Sequence, residues 1–165
     1  MVTVGEGELI IAGGTESMSR APFVMAKAEK AFSRDMTIFD STIGARFPNP
    51  TILQQFGGDT MPETAQNVAE DLGISRESAD AFAARSQQRY QDARERGFFR
   101  EEIAPVTVPQ GRKKDPLTVT DDEHPRPGTG VDKLAKLPAI VDGGMVTAGN
   151  AAGVKDGGLL YRSPS

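Results

Sequence analysis

No run of consecutive apolar residues in this chain is longer than four, and that limit governs what it can fold into. A helix that crosses a bilayer needs about 20 apolar residues in a row, so no stretch here is a membrane span. Buried strands also read as continuous apolar runs, and Leu9-Ile10-Ile11-Ala12 is the clearest one. Closed by Gly13-Gly14, it predicts a buried strand over Glu8–Ala12 that ends in a tight turn. Nothing before residue 8 is available to cover such a strand, so upstream sequence is expected to be missing.

The composition supports that expectation. The 165 residues are about one domain's length, yet only 38% are apolar and 6% aromatic, with no tryptophan. Glycine and proline supply 29 of the 165 residues, which favours turns and long connections over a helical bundle. Such a chain leans on a partner or is part of something larger. With no cysteine there is no disulfide, thiolate nucleophile or Cys-type zinc site. One histidine, His124, excludes a metal site built from several imidazoles. A net charge of −4 opposes a general nucleic-acid binder. The first eight residues lack the basic and apolar regions of a signal peptide. The expectation is a soluble, cytoplasmic chain with neither nucleic-acid nor membrane partners and no metal.

Along the chain, Thr15–Gly58 has poor periodicity and reads as a long irregular segment, of the kind that lines functional sites. Burial of Phe23, Phe32, Phe39, Phe47 and Phe56 is expected to pin it down. Thr60-Met-Pro-Glu63 has capping-box spacing, and Gly73 fits a helix stop. Ser75 caps a second helix with Ala79, Phe82, Ala83, Tyr90 and Ala93 on one stripe. Its opposite face (Arg76, Glu77, Arg85, Gln88, Asp92, Glu95) is expected to be solvated, and Gly97 ends it. Glu102–Pro109 and Pro116–Thr120 read as strands joined by the basic turn Gly111–Lys114. Val131–Leu137 reads as two helical turns, and Val146–Asn150 as a strand entering a glycine turn.

The chemistry in these residues is sparse. His124 reads as an exposed loop histidine. Asp121, Asp122 and Glu123 are consecutive, so they cannot converge on a cation as alternate ligands do. Gly13-Gly14, Gly143-Gly144 and Gly157-Gly158 match no phosphate-loop spacing and read as turns. Arg112, Lys113, Lys114, Arg126 and Lys133 either meet a phosphorylated ligand or merely solubilise the surface. Met61, opening a capped helix, reads as core. Composition and spacing alone do not name a function.

Two segments go further. Ala12-Gly-Gly-Thr-Glu-Ser-Met-Ser19 resembles the thiolase segment in which a core strand enters a turn. Val146-Thr-Ala-Gly-Asn-Ala-Ala-Gly153, followed by Asp156-Gly157, resembles a later element of the same family. Asp40–Pro50 and Asp59–Ala69 are most similar to its 3-oxoadipyl-CoA (β-ketoadipyl-CoA) branch. The resemblance implies an α/β fold with an α+β insertion. It places residues 1–20 at the end of the N-terminal thiolase half and 21–145 in the coenzyme-binding loop domain. Residues 146–158 return to the N-terminal half, and 159–165 form a tail that departs from the family.

It further implies an acyltransferase that cleaves 3-oxoadipyl-CoA with coenzyme A to succinyl-CoA and acetyl-CoA. A generic 3-ketoacyl-CoA or acetoacetyl-CoA thiolase, and a non-catalytic CoA-binding or interaction module, are the alternatives. The family's nucleophilic cysteine, and the histidine, second cysteine and asparagine of its C-terminal half, match nothing here, so no catalytic residue carries over. By position, Met61, Arg126, Lys133, Ala148, Gly149 and Ala152 match positions that approach coenzyme A, which binds as substrate rather than as a tightly held cofactor. Ala152 stands where the family usually has serine, and Lys155 where it has asparagine. The implied partners are an acyl-CoA and the remaining thiolase segments, within a parent homo-oligomer.

Overall fold

The computed structural model describes residues 9–164, so the reading of residues 1–8, Glu8 included, lies outside the described residues. The chain divides into two compact units, one comprising the residues up to Thr60 together with Val154 onward, the other Met61–Gly153.

The first unit is built from two-stranded ribbons. Strand β1 (Leu9–Ser17) pairs antiparallel with β6 (Asp156–Pro164) in a register running from Leu9 opposite Pro164 to Ser17 opposite Asp156. The turn expected at Gly13-Gly14 is therefore absent: β1 runs straight through it. The glycine serves close approach instead, since a methyl at Gly13 would stand 2.5 Å from Leu160 Cδ2. Gly157-Gly158 likewise lies within β6. Nor is β1 buried: β6 pairs one of its edges, and Leu9 and Ile11 remain exposed. Residues Leu159–Pro164 supply most of that pairing.

The segment Thr15–Gly58 is more regular than its composition suggests. Residues 15–17 complete β1, a 3₁₀ turn follows at Met18–Arg20, and β2 (Phe23–Met25) pairs antiparallel with β3 (Ile38–Asp40). Helix α1 (Pro50–Phe56) starts where Asn49 Oδ1 accepts the Thr51 N–H at 2.9 Å, with Pro50 pre-setting the first turn. The expected burial of the phenylalanines fails: Phe23, Phe32, Phe47 and Phe56 are exposed, and only Phe39 is half-buried, edge-on to Phe47. Two-stranded ribbons have no second layer to cover such rings.

The second unit holds every buried residue among those described: Gln66, Ala69, Asp80, Leu134, Val146 and Thr147. Helix α2 (Met61–Asp71) and helix α3 (Arg76–Glu95) form the expected pair. Each ends in a Schellman turn. Ile74 N–H donates to Ala69 O across Gly73, and Phe98 N–H to Ala93 O across Gly97, both glycines having positive φ. Ser75 caps α3 by accepting the Ser78 N–H. Tyr90 stacks on Phe99, which holds the chain after α3 against it. Two expectations about α3 are corrected: Phe82 faces solvent under the Arg85 guanidinium, and Arg76 turns inward.

Strands β4 (Val106–Val108) and β5 (Leu117–Val119) form the expected hairpin with the basic turn at its tip. The short helix α4 (Val131–Leu134) continues as a turn to Leu137. Val146–Asn150 is not a strand. Thr147 makes one isolated bridge with Ala139, and the chain then coils into a turn closed by Ala151 N–H to Thr147 O at 3.0 Å.

Candidate functional site

The expected coenzyme contacts gather in the second unit, on the loop Pro125–Thr129, on α4 and on the turn Thr147–Ala151. Arg126 is exposed, but its backbone is held on both sides. Its N–H donates to Gln87 Oε1 at 3.1 Å, and the Thr129 hydroxyl donates to its carbonyl at 2.7 Å. A depression of about 30 Å³ lies between this loop and Gln87, Gln88, Tyr90 and Gln91 of α3.

Lys133 rides on α4 with its Nζ over Gly128, 3.6 Å from where a Cβ would stand there. Gly128 has φ +69°, so a side chain is disfavoured at that position in any case. The next residue of α4, Leu134, meets Gly149, where a methyl would lie 2.5 Å from Leu134 Cδ2 and from Leu137 Cδ1. His124 is exposed, yet its ring lies against the Gly153 backbone, 2.7 Å from where a Cβ would stand. Gly153 adjoins Ala152. Arg126 and Lys133 therefore share one loop–helix junction, and Gly149 is packed against that same helix. Ala148 is exposed on the turn beside it, and Ala152 is exposed just after that turn. Met61 is the exception: at the start of α2 it is 79% exposed, not core.

Beneath this surface lies a polar network that the residue pattern did not disclose. Asp80 on α3 is 1% exposed. Arg76 Nε donates to its Oδ2 at 2.7 Å, and Asn150 Nδ2 donates to its Oδ1 at 3.0 Å. Arg76 also donates to the carbonyls of Leu134 and Leu137 at 2.7 and 3.1 Å. Asn150 donates to Met145 O at 3.0 Å and accepts the Thr147 N–H at 2.7 Å. Gln66 joins α2 to the same segment by accepting the Met145 N–H at 2.7 Å. The four-residue spacing of Arg76 and Asp80 was a readable signal for their pairing; nothing local announced Asn150.

In the first unit, Asp156 closes the base of the ribbon. It accepts the Ser19 N–H at 2.9 Å and the Ser19 hydroxyl. The Ser19 side-chain and backbone hydrogen bonds hold its carboxyl below the ordinary value of 3.8. Ser19 thus ties the end of the Ala12–Ser19 segment to Asp156.

A family model for the thiolase N-terminal domain matches residues 1–159. The chain belongs to the thiolase family. It is 58% identical over 157 residues to a β-ketoadipyl-CoA thiolase of Pseudomonas aeruginosa, and 55% identical over the same length to one of Acinetobacter baylyi. Each match covers 94% of this chain but 39% of the relative, so the chain spans about two fifths of the length of these thiolases. Among solved structures, it is similar to human mitochondrial 3-ketoacyl-CoA thiolase in complex with CoA. There the TM-score is 0.75 at 36% identity, covering 99% of this chain and 39% of that one. The α/β architecture is accordingly part of the thiolase fold. No helix among the described residues is long and apolar enough to cross a membrane.

Proposed function

We propose that this chain is the coenzyme A-binding portion of a thiolase acting on 3-oxoadipyl-CoA, with residues 21–145 as the loop domain. In the complete reaction, coenzyme A cleaves 3-oxoadipyl-CoA to succinyl-CoA and acetyl-CoA in the cytoplasm. The observation that carries the reading is the 55–58% identity to β-ketoadipyl-CoA thiolases across 94% of the chain. It is higher than the 36% to the human 3-ketoacyl-CoA enzyme, which favours this substrate branch over a generic one.

Arg126 lays its guanidinium plane on the adenine, a pairing that suits a delocalised cation. Lys133 meets a phosphate, while Ala148, Gly149 and Ala152 border the pantetheine and Met61 the acyl channel. Ala152, lacking the hydroxyl of serine, forgoes one hydrogen bond worth about 0.5–1.5 kcal/mol. Covalent acyl transfer needs an activated sulfur, and these 165 residues contain no cysteine. The chain by itself is expected to bind coenzyme A without turning it over. The second reading is a non-catalytic CoA-binding or interaction module.

Calorimetric titration of the protein with coenzyme A tests the site. Arg126→Ala is expected to weaken binding, and Arg126→Lys to recover only part, since lysine has no planar face. Equal affinity of all three proteins would remove the adenine assignment. Supplying the cysteine- and histidine-bearing thiolase segments then separates the two readings, because only a thiolase portion gains thiolytic activity.

A further inference from the structure

Asp80 is a buried carboxylate that touches nothing proposed to meet the coenzyme, and the proposed function leaves it unused. Burying a charge is costly, and a well-packed apolar side chain is often at least as stabilising there. The reason for keeping it lies in what it joins. Its two oxygens are divided between Arg76 on its own helix and Asn150 seventy residues on. Each partner then grips a different piece of backbone. Arg76 closes the carbonyls of Leu134 and Leu137 at the end of α4, and Asn150 closes Met145 O and the Thr147 N–H across the turn. The remaining buried polar group of the turn, Thr147, is consumed internally, its hydroxyl oxygen accepting the Gly149 N–H at 3.2 Å. One carboxylate thus holds both structures that carry Lys133, Ala148 and Gly149.

We propose that Asp80 is a positioning residue, which through Arg76 and Asn150 sets α4 and the Thr147–Ala151 turn in the arrangement that receives the coenzyme. This inference rests on the reading of that surface as the coenzyme A site. Charge-assisted hydrogen bonds from two directions suit the task, because they define an angle between elements that apolar packing leaves free to slide.

The test is calorimetric titration of the full chain with coenzyme A, at a temperature well below each variant's melting midpoint. Asp80→Asn retains an acceptor for Asn150 but removes the charge facing Arg76. The folded variant is expected to bind about five- to tenfold more weakly, inside the roughly 2- to 30-fold span of coupling through residues that do not touch the ligand. Its amide resonances at Thr147 and Gly149 are expected to shift, while those of the β4–β5 hairpin stay in place. A merely structural role would lower the melting midpoint and leave the affinity of the folded protein unchanged, and that result would overturn the inference while the coenzyme site stood. If Asp80→Asn does not fold, Arg76→Lys decides by the same criterion, since an ammonium cannot span Asp80 and two carbonyls together. Absence of binding by the unsubstituted protein would instead overturn the site reading itself, and this inference with it.

Discussion

The two units answer the same shortage of apolar residues in different ways. Met61–Gly153 has three buried apolar side chains, Ala69, Leu134 and Val146, and supplements them with Gln66, Asp80 and Thr147 buried beside hydrogen-bond partners. Its helices meet loops through side chains that satisfy backbone groups, so polar residues extend the core. The unit containing β1, β2, β3 and β6 has no buried residue among those described. Its ribbons satisfy backbone hydrogen bonds but leave Ile11, Phe23, Leu159 and Leu160 exposed. Pairing strands closes a ladder; only a second layer buries its side chains. A polar network can complete a small core, whereas an isolated ribbon cannot make one.

The largest effect expected from that contrast is in hydrogen exchange. Amides of α2 and α3 are expected to exchange at least about a hundredfold more slowly than those of β1 and β6, since local opening tracks buried contact. Equal protection of the ribbon and the helices, read by exchange mass spectrometry, would break the comparison.

A smaller effect sharpens it. Gly149→Ala drives a methyl into Leu134 and Leu137, and overpacking of that kind costs about 1–3 kcal/mol. Gly14→Ala, where the added methyl meets nothing within 4 Å, is expected to cost far less by denaturant titration. Comparable losses at both positions would show that the second unit is no better packed than the ribbon.

The ribbon's own weak point is acid. Asp156 has a folded value lowered by Ser19, so the unfolded state takes up its proton first as pH falls. Its contribution is complete above the ordinary carboxylate value of 3.8 and disappears as pH drops through the lower folded value. Resonances of β1 and β6 are expected to lose dispersion over that interval. Ser19→Ala is expected to move the loss to higher pH; an unchanged acid profile would remove this clamp from the account.

The smallest effect is at the surface. Arg94 and Asp121 pair at 2.6 Å with both side chains about half exposed. Arg94→Ala is expected to change the stability of the second unit by no more than about 1 kcal/mol, less in high salt.

Where the sequence was legible, the signal was local. Ser75, Gly73 and Gly97 mark helix ends because capping is decided within a few residues, and the hairpin follows from two β-branched stretches around Gly111. The family motifs carried the fold and the candidate site, since Ala12–Ser19 and Val146–Gly153 are specific in a way that composition is not. The glycine pairs misled because the same residue serves a turn and a close approach. Gly143 turns the chain with φ +69°, while Gly13 lets Leu160 come near. Arg76 misled because its place on the helix wheel is polar, and only a distant pair of carbonyls turns it inward.

By itself, the sequence determined the helical pair, the hairpin and the thiolase membership, all properties of residue type at short spacing. Tertiary structure alone decided that β6 would cover the edge of β1, that Met61 would face outward and that Asp80 would join Arg76 to Asn150. Those outcomes depend on partners some 70 to 150 residues apart. Helix wheels and turn rules reach one turn along the chain. Whether a buried charge finds its second donor depends on how the remote segments pack.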